Sequence, residues 1–290
     1  MEGRQATAML GSFCRSVAVS TGCPQGGVLS LLLWCLVVDD LLARLCGGGL
    51  YAQGYADDIC LLAVGKFPNM VSGLIQWALS IVDVWCAELG LSVNPGKTGL
   101  VAFTRRRKLE GFLEPRLFGK TLQRSMSVKN LGMILDSRLT WRKHMDAKVR
   151  KAQNLLWACR RAYGRAWGLE PTEVHWMYVI RPSVTYASLV WWPGCQTASA
   201  MKTLSKIQRL ACLGITGAVR TTPTRAMEAL FCLPPLELFV QGEARMAAHR
   251  FWSLGCWSYL HPNRGHSSIL KRLQQSDPVY SLGLDAMRPT

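Results

Sequence analysis

The sequence predicts an α/β fold of α+β type up to about residue 136 and a mainly α-helical region beyond it, on three observations. Short apolar runs bounded by turn residues, Leu50–Tyr55, Ile59–Val64, Gly99–Phe103 and Val128–Leu135, read as strands. Longer apolar stretches, one opening at Leu31–Val38 and one over Val71–Leu89, read as helices between them. Past residue 136, Trp141, Met145, Val149, Ala152, Leu156 and Cys159 recur at steps of three and four, which puts one apolar stripe on a helix. Further helices are predicted at Pro171–Ile180, Ala200–Ile215, Thr224–Phe231 and Leu236–Trp252, punctuated by Pro182, Pro193, Pro223 and the Pro234-Pro235 pair.

The most informative element is the hairpin. Tyr55-Ala56-Asp57-Asp58 sets two adjacent carboxylates at a tight turn between two apolar strands. Taken alone it reads as an ordinary turn, because aspartate favours turns through local hydrogen bonds. A hairpin tip of this kind also suits magnesium, which takes one or two protein carboxylates and leaves its other positions to water and phosphates. Upstream, Gly22-Cys23-Pro24-Gln25-Gly26-Gly27-Val28-Leu29-Ser30 forms a Gly/Pro-rich loop running into a helix. Its glycines allow close backbone approach to a ligand, Gln25 supplies an amide, and the helix start offers free N–H groups. Downstream, Leu89 to Thr98 closes a helix and places Lys97 in a turn.

Lys and Arg total 34 against 18 acidic residues, a formal charge of +16 with pI near 9.7, which points to a polyanionic partner, nucleic acid foremost. The cations are clustered: Arg105-Arg106-Arg107-Lys108, then Arg142-Lys143, Lys148, Arg150-Lys151 and Arg160-Arg161. Such residues hold phosphate without reading sequence. On the Trp141–Arg161 helix they lie largely off the apolar stripe, which suits both a helix gripping a nucleic-acid backbone and a solvated amphipathic helix. The 11 cysteines are scattered, odd in number and without a Cys-x-x-Cys pair, and read as reduced core thiols. Cys256, His261 and His266, with Cys232 or His249, are the nearest approach to a ligand cluster, although Pro262 and Gly265 among them read as turn residues. The tryptophans at 167, 176, 191, 192, 252 and 257 are assigned to the core rather than to base stacking. The Val28–Val38 run is too short to span a bilayer and ends in Asp39 and Asp40, read as a solvated helix end. No signal peptide precedes it, so the chain is placed inside the cell, in cytoplasm and/or nucleus, away from membranes.

In order and spacing, the Gly22–Ser30 loop, the Tyr55–Asp58 hairpin and the Leu89–Thr98 turn resemble the palm of a reverse transcriptase of the non-LTR (LINE-type) retrotransposon branch. Val128 to Asp136 resembles that family's primer-grip segment, Leu139-Thr140-Trp141 with His144 the opening of its thumb, and Ala187 to Gly194 its thumb or connection. The resemblance implies a polymerase palm, an antiparallel sheet with packed helices, over residues 1–136, a helical thumb/connection over 137–275 and a linker tail over 276–290. It further implies that Asp57 and Asp58 bind magnesium for two-metal nucleotidyl transfer, Asp57 foremost, with Lys97 as the cation near the leaving pyrophosphate and a candidate proton donor to it. Pro24, Gln25 and Gly26 would line the nucleotide pocket, and Tyr55, Ala56, Leu131 and Gly132 would face the primer. Arg105, Arg106, Arg107, Lys108, Arg142, Lys143, Lys148 and Lys151 would carry the nucleic-acid backbone. The implied partners are an RNA template, a DNA primer and deoxynucleoside triphosphates.

One departure bears on activity. Palms of this type draw a further metal-binding aspartate from a strand ahead of the loop, whereas here the only acid before Gly22 is Glu2, followed by a stretch without strand-like alternation. Phe13 to Ser20 resembles the strand just before the loop, so the fingers and first catalytic strand are expected to be missing. Magnesium binding is then expected to be weak or absent, and the chain to be a fragment of an RNA-directed DNA polymerase, inactive alone. The alternatives are a repurposed, non-catalytic nucleic-acid-binding protein on a palm-thumb scaffold, and an active polymerase whose missing carboxylate comes from Glu2 or a partner chain.

Overall fold

The computed structural model describes residues 4–19, 26–46, 50–106, 108–163 and 176–254. Pro24, Gln25, Arg107, Trp167, Trp257, the Cys256, His261 and His266 group and the 276–290 tail lie outside them. The chain divides into two compact units, 1–128 and 129–290, the first of helices and small antiparallel sheets and the second of helices after a β-hairpin that begins at the boundary.

The first unit opens with a hairpin of β1 (Arg4–Leu10) and β2 (Phe13–Val19). The stretch before Phe13, read above as lacking strand-like alternation, is thus a strand. Alternation fails to mark it because residues 5–18 are exposed on both faces, so no face has to be apolar. Helix α1 (Ser30–Leu45) follows, then the antiparallel pair β3 (Leu50–Tyr55) and β4 (Asp58–Ala63), then α2 (Pro68–Leu89). Leu41, Leu45, Leu50, Ala78, Leu79, Val82, Trp85 and Cys86 form the core among these elements. Fully burying a side chain of this kind contributes about 1.5–3 kcal/mol, so this core outweighs any single polar contact on the surface. Asp39 and Asp40 lie inside α1 on its exposed side rather than at its end, and Arg44 joins Asp40 (2.9 Å) to Glu88 of α2 (2.7 Å).

α2 starts with proline at its first turn and stops at Gly90 in the left-handed region (φ 64°), a favoured start and stop. By length and composition it could cross a membrane, but its inner face is the core just described. Its side chains also order the loop after it. Gln76 accepts from Arg116 N–H (2.7 Å) and donates to Arg116 C=O (3.1 Å), and Asp83 accepts from Phe118 N–H (3.2 Å), which holds the small hairpin β5 (Arg116–Leu117) and β6 (Lys120–Thr121). The strand predicted at Gly99–Phe103 reduces to one bridge, Leu100 with Arg124, because no neighbouring strand extends the ladder.

The strand predicted over Val128–Leu135 is instead a hairpin, β7 (Ser127–Asn130) and β8 (Met133–Asp136). Leu131 and Gly132 both take positive φ (44° and 79°), the requirement of a two-residue I′ turn, so the run folds back on itself. The remaining elements described in the second unit are helical: α3 (Arg142–Tyr163), a π-helical turn (Trp176–Ile180), α4 (Arg181–Thr185), α5 (Ser188–Trp191), a 3₁₀ turn (Trp192–Gln196), α6 (Ala198–Thr216), α7 (Thr224–Leu230) and α8 (Leu236–Ser253). The stripe read on α3 is its inner face: Trp141, Met145, Val149, Ala152 and Cys159 are buried, and Trp176, Trp191 and Trp192 pack in the same core.

Asp136 organises the start of α3. Its carboxylate accepts from the N–H groups of Arg138 (3.1 Å), Thr140 (3.0 Å) and Trp141 (3.0 Å) and from the Thr140 hydroxyl (3.2 Å). Within that loop Leu139 and Trp141 take positive φ (51° and 63°), which branched and bulky side chains resist, so the carboxylate holds a strained entry to the helix. Burial alone would raise the acid's pKa, but the hydrogen bonds from Thr140, Trp141 and Arg138 outweigh it and the net shift is downward. His144, one turn into α3, lies against Trp141 and Trp191 and accepts the Ile134 N–H at Nδ1 (3.1 Å). Burial, with Lys148 nearby, pushes its imidazole down to about 4, so it is neutral with its proton on Nε2.

Asp136→Ala is expected to destabilise this unit by about 2–3 kcal/mol, read as a lower urea midpoint at unchanged slope. Because the native carboxylate ionises below its ordinary value of 3.8, its contribution is present above that value and disappears as pH falls through the lowered one. The stability gap between wild type and Asp136→Asn should therefore close in acid; a gap that widens there refutes the assignment.

Candidate active site at the β3–β4 hairpin

β3 and β4 pair in register from Leu50↔Ala63 to Tyr55↔Asp58, leaving Ala56 and Asp57 as a two-residue turn. Pairs alternate between faces. Ala52, Gly54, Ile59 and Leu61 face the helices, while Tyr51, Gln53, Tyr55, Asp58, Cys60 and Leu62 share the outer face. Asp58 thus stands beside Tyr55, with Asp57 next to it in the turn, and all three are exposed. Among the described residues no ion pair takes either carboxylate, whereas Asp40, Glu88, Glu114 and Glu228 are each paired with arginine.

The tip is held from α1. Trp34 Nε1–H donates to the Ala56 carbonyl (2.8 Å). Ala56 takes φ 53° while Asp57 does not take positive φ, the sign pattern of a II′ turn, in which glycine normally occupies the first position. Lower on the strand, a Cβ on Gly54 would lie 3.2 Å from Val38 Cγ1 and 3.5 Å from Leu42 Cδ1. The isolated glycine inside an apolar strand is the sequence signal for this approach, and Trp34, Val38, Leu41 and Leu45 share the spacing of one helix face.

The remaining predicted site residues fall as follows. Gly26 is exposed at φ 83° just before α1. Lys97 is exposed in the turn after α2, where Asn94 accepts the Lys97 N–H at its carbonyl (3.1 Å) and the Gly96 N–H at its side chain (2.8 Å). Its side chain enters no ion pair among the described residues, and no bond links it to Asp57 or Asp58. Arg105, Arg106 and Lys108 are exposed in a coil segment, and Arg142, Lys143 and Lys151 on α3 are exposed as well.

Lys148 differs from them. It is half-buried, its amine donates to Ser183 C=O (3.1 Å) and lies over the Tyr186 ring (4.9 Å to the centroid), and burial first, then Lys151 and Lys129, lowers its pKa. Tyr186 in turn donates its hydroxyl to Leu131 C=O (3.1 Å) and abuts Gly132, where a Cβ would lie 3.4 Å from its ring. Nothing in the sequence marks Tyr186 as the support of that turn.

Two adjacent carboxylates are hard oxygen donors of the kind one magnesium ion takes from a protein. Among the described residues no group of three His, Cys, Asp or Glu side chains stands together, so at the tip the side chains of this kind are Asp57 and Asp58.

Residues 8–135 match the family Reverse transcriptase (RNA-dependent DNA polymerase). The chain is 29% identical over 240 residues to the putative 115 kDa protein in type-1 retrotransposable element R1DM of Drosophila melanogaster, covering 81% of this chain and 23% of that protein. It is 26% identical over 223 residues to the retrovirus-related Pol polyprotein from type-1 retrotransposable element R1 of Nasonia vitripennis, covering 75% and 66% respectively. It is 30% identical over 142 residues to the RNA-directed DNA polymerase from mobile element jockey of Drosophila funebris, covering 46% and 15%. No solved structure matches. The chain thus spans from under a quarter to about two thirds of the length of the first of these curated relatives. Residues 8–135 form a reverse transcriptase domain, homologous to those of the non-LTR retrotransposon RNA-directed DNA polymerases.

Proposed function

We propose that this chain supplies the palm and thumb of an intracellular RNA-directed DNA polymerase, residues 1–136 as palm and 137–275 as thumb/connection. The observation that carries this reading is the exposed Asp57-Asp58 pair on a hairpin tip tied to the helix that follows the Gly-Pro-Gln loop. In it, Asp57 and Asp58 hold magnesium, which when bound neutralises charge on the reacting phosphates. Lys97 is the cation beside the leaving pyrophosphate. Pro24, Gln25 and Gly26 line the nucleotide pocket, and the turns at Tyr55-Ala56 and Leu131-Gly132 face the primer. Arg105, Arg106, Arg107, Lys108, Arg142, Lys143 and Lys151 attract the backbone of template and primer by charge. Lys148 contributes charge from a fixed position, since its amine is held by Ser183 and Tyr186.

With two carboxylates the tip holds an ion weakly, so the chain alone is not expected to extend a primer. The test is primer extension on an RNA template with magnesium and then manganese. Extension that is abolished by Asp57→Ala would show an active polymerase and overturn the inactivity, though not the assignment of the carboxylate.

Binding to primer-template is expected to weaken steeply with salt, each neutralised phosphate adding about 0.9 to the slope of log K against log salt. Reversing charge at Arg105, Arg106 and Lys108 should flatten that slope by about one for each cation engaged. Binding that ignores salt removes the nucleic-acid interface from the proposal.

A further inference from the structure

Trp34 occupies the N-terminal third of α1, one turn before Val38 on the same face. Four helical residues advance about 6 Å, and the two strand residues from Gly54 to Ala56 advance about 6.6 Å. The helix and strand therefore march in step: Val38 and Leu42 meet the backbone at Gly54, and the indole N–H meets the carbonyl at Ala56. That carbonyl belongs to the one non-glycine residue of the turn in the left-handed region, immediately before Asp57. A hydrogen bond to this peptide fixes the orientation of the plane that leads directly into the first carboxylate.

We infer that Trp34 is a positioning residue for the carboxylate pair, setting the Ala56–Asp57 peptide so that Asp57 and Asp58 can share a divalent cation. The inference rests on the reading of those carboxylates as metal ligands. Trp34 does not touch the ion; it acts through the turn.

The test uses the full chain and three variants: Trp34→Phe, which keeps a ring and loses the donor; Gly54→Ala, whose Cβ crowds Val38 Cγ1 at 3.2 Å; and Asp57→Asn. Amide hydrogen exchange over residues 55–58 reads the position of the tip, and Mn²⁺ titration followed by electron paramagnetic resonance reads the cation. Trp34→Phe is expected to speed exchange at the tip by about threefold to tenfold, the loss of one hydrogen bond, while exchange in α2 stays unchanged. Mn²⁺ affinity should fall severalfold in Trp34→Phe and Gly54→Ala and be lost in Asp57→Asn. Unchanged exchange at the tip in Trp34→Phe overturns the inference. Wild type and Asp57→Asn binding Mn²⁺ alike overturns the metal reading instead, and leaves exchange to decide whether Trp34 holds the turn.

Discussion

The site in the first unit depends on how closely α1 lies against β3. Leu41 and Leu45 bury the middle and end of the helix, Gly54 lets Val38 and Leu42 lie close to the strand, and Trp34 completes the contact at the tip. The magnitudes separate their roles. Burial of the leucines, about 1.5–3 kcal/mol each, fixes where the helix lies. The indole bond, about 0.5–1.5 kcal/mol net, could not do so, but it is of the same size as the cost of about 1–2 kcal/mol for a non-glycine residue in the left-handed region. Packing therefore places the hairpin and the hydrogen bond decides the shape of its last two residues.

The acids differ in what they touch. In a chain with 34 basic and 18 acidic residues, cations are in excess, and Asp40, Glu88, Glu114 and Glu228 each pair with an arginine. Glu228 does so while also accepting from the buried Gln208 (2.7 Å), and Asp83 and Asp136 are spent on backbone N–H groups. Asp57 and Asp58 stand adjacent, exposed and outside every ion pair among the described residues. Two like charges side by side repel, and a divalent cation relieves that repulsion more effectively than a flexible lysine.

Much of this was legible in the residue order. The carboxylate hairpin, α2 and the buried stripe of α3 follow from apolar periodicity, because each has one face against a core and one against water. The elements that escaped lack that contrast. β1 is exposed on both faces, so no alternation records it, and β2, exposed likewise, was legible only through its resemblance to the strand before the loop. The Val128–Leu135 run is apolar enough for one strand, yet Leu131-Gly132 reverses it, since a leucine in the left-handed region gives no turn signal. Lys148 reads as one more surface cation, and only the fold brings Ser183 and Tyr186 to it. Trp34 was visible as part of a helix stripe, but which carbonyl its N–H meets is a tertiary fact.

Two of the hairpin turns among the described residues, β3–β4 and β7–β8, share a device, whereas Phe118 (φ 47°) in the β5–β6 turn is held by Asp83 instead. Ala56 in one unit and Leu131 in the other are non-glycine residues at positive φ in two-residue turns. In each case the carbonyl of the strained residue accepts from an aromatic side chain distant in sequence, Trp34 for Ala56 and Tyr186 for Leu131. Strain of this kind persists only where surrounding contacts impose it, and it concentrates at sites whose geometry matters. An aromatic donor suits the task because it has few rotatable bonds and brings a large packed surface with its single polar atom. Glycine in either position would remove the strain but also widen the range of turn geometries the backbone can adopt. The pairing of a strained, side-chain-bearing residue with a rigid aromatic donor therefore narrows each turn to one shape, which is what the roles proposed for the two turns require.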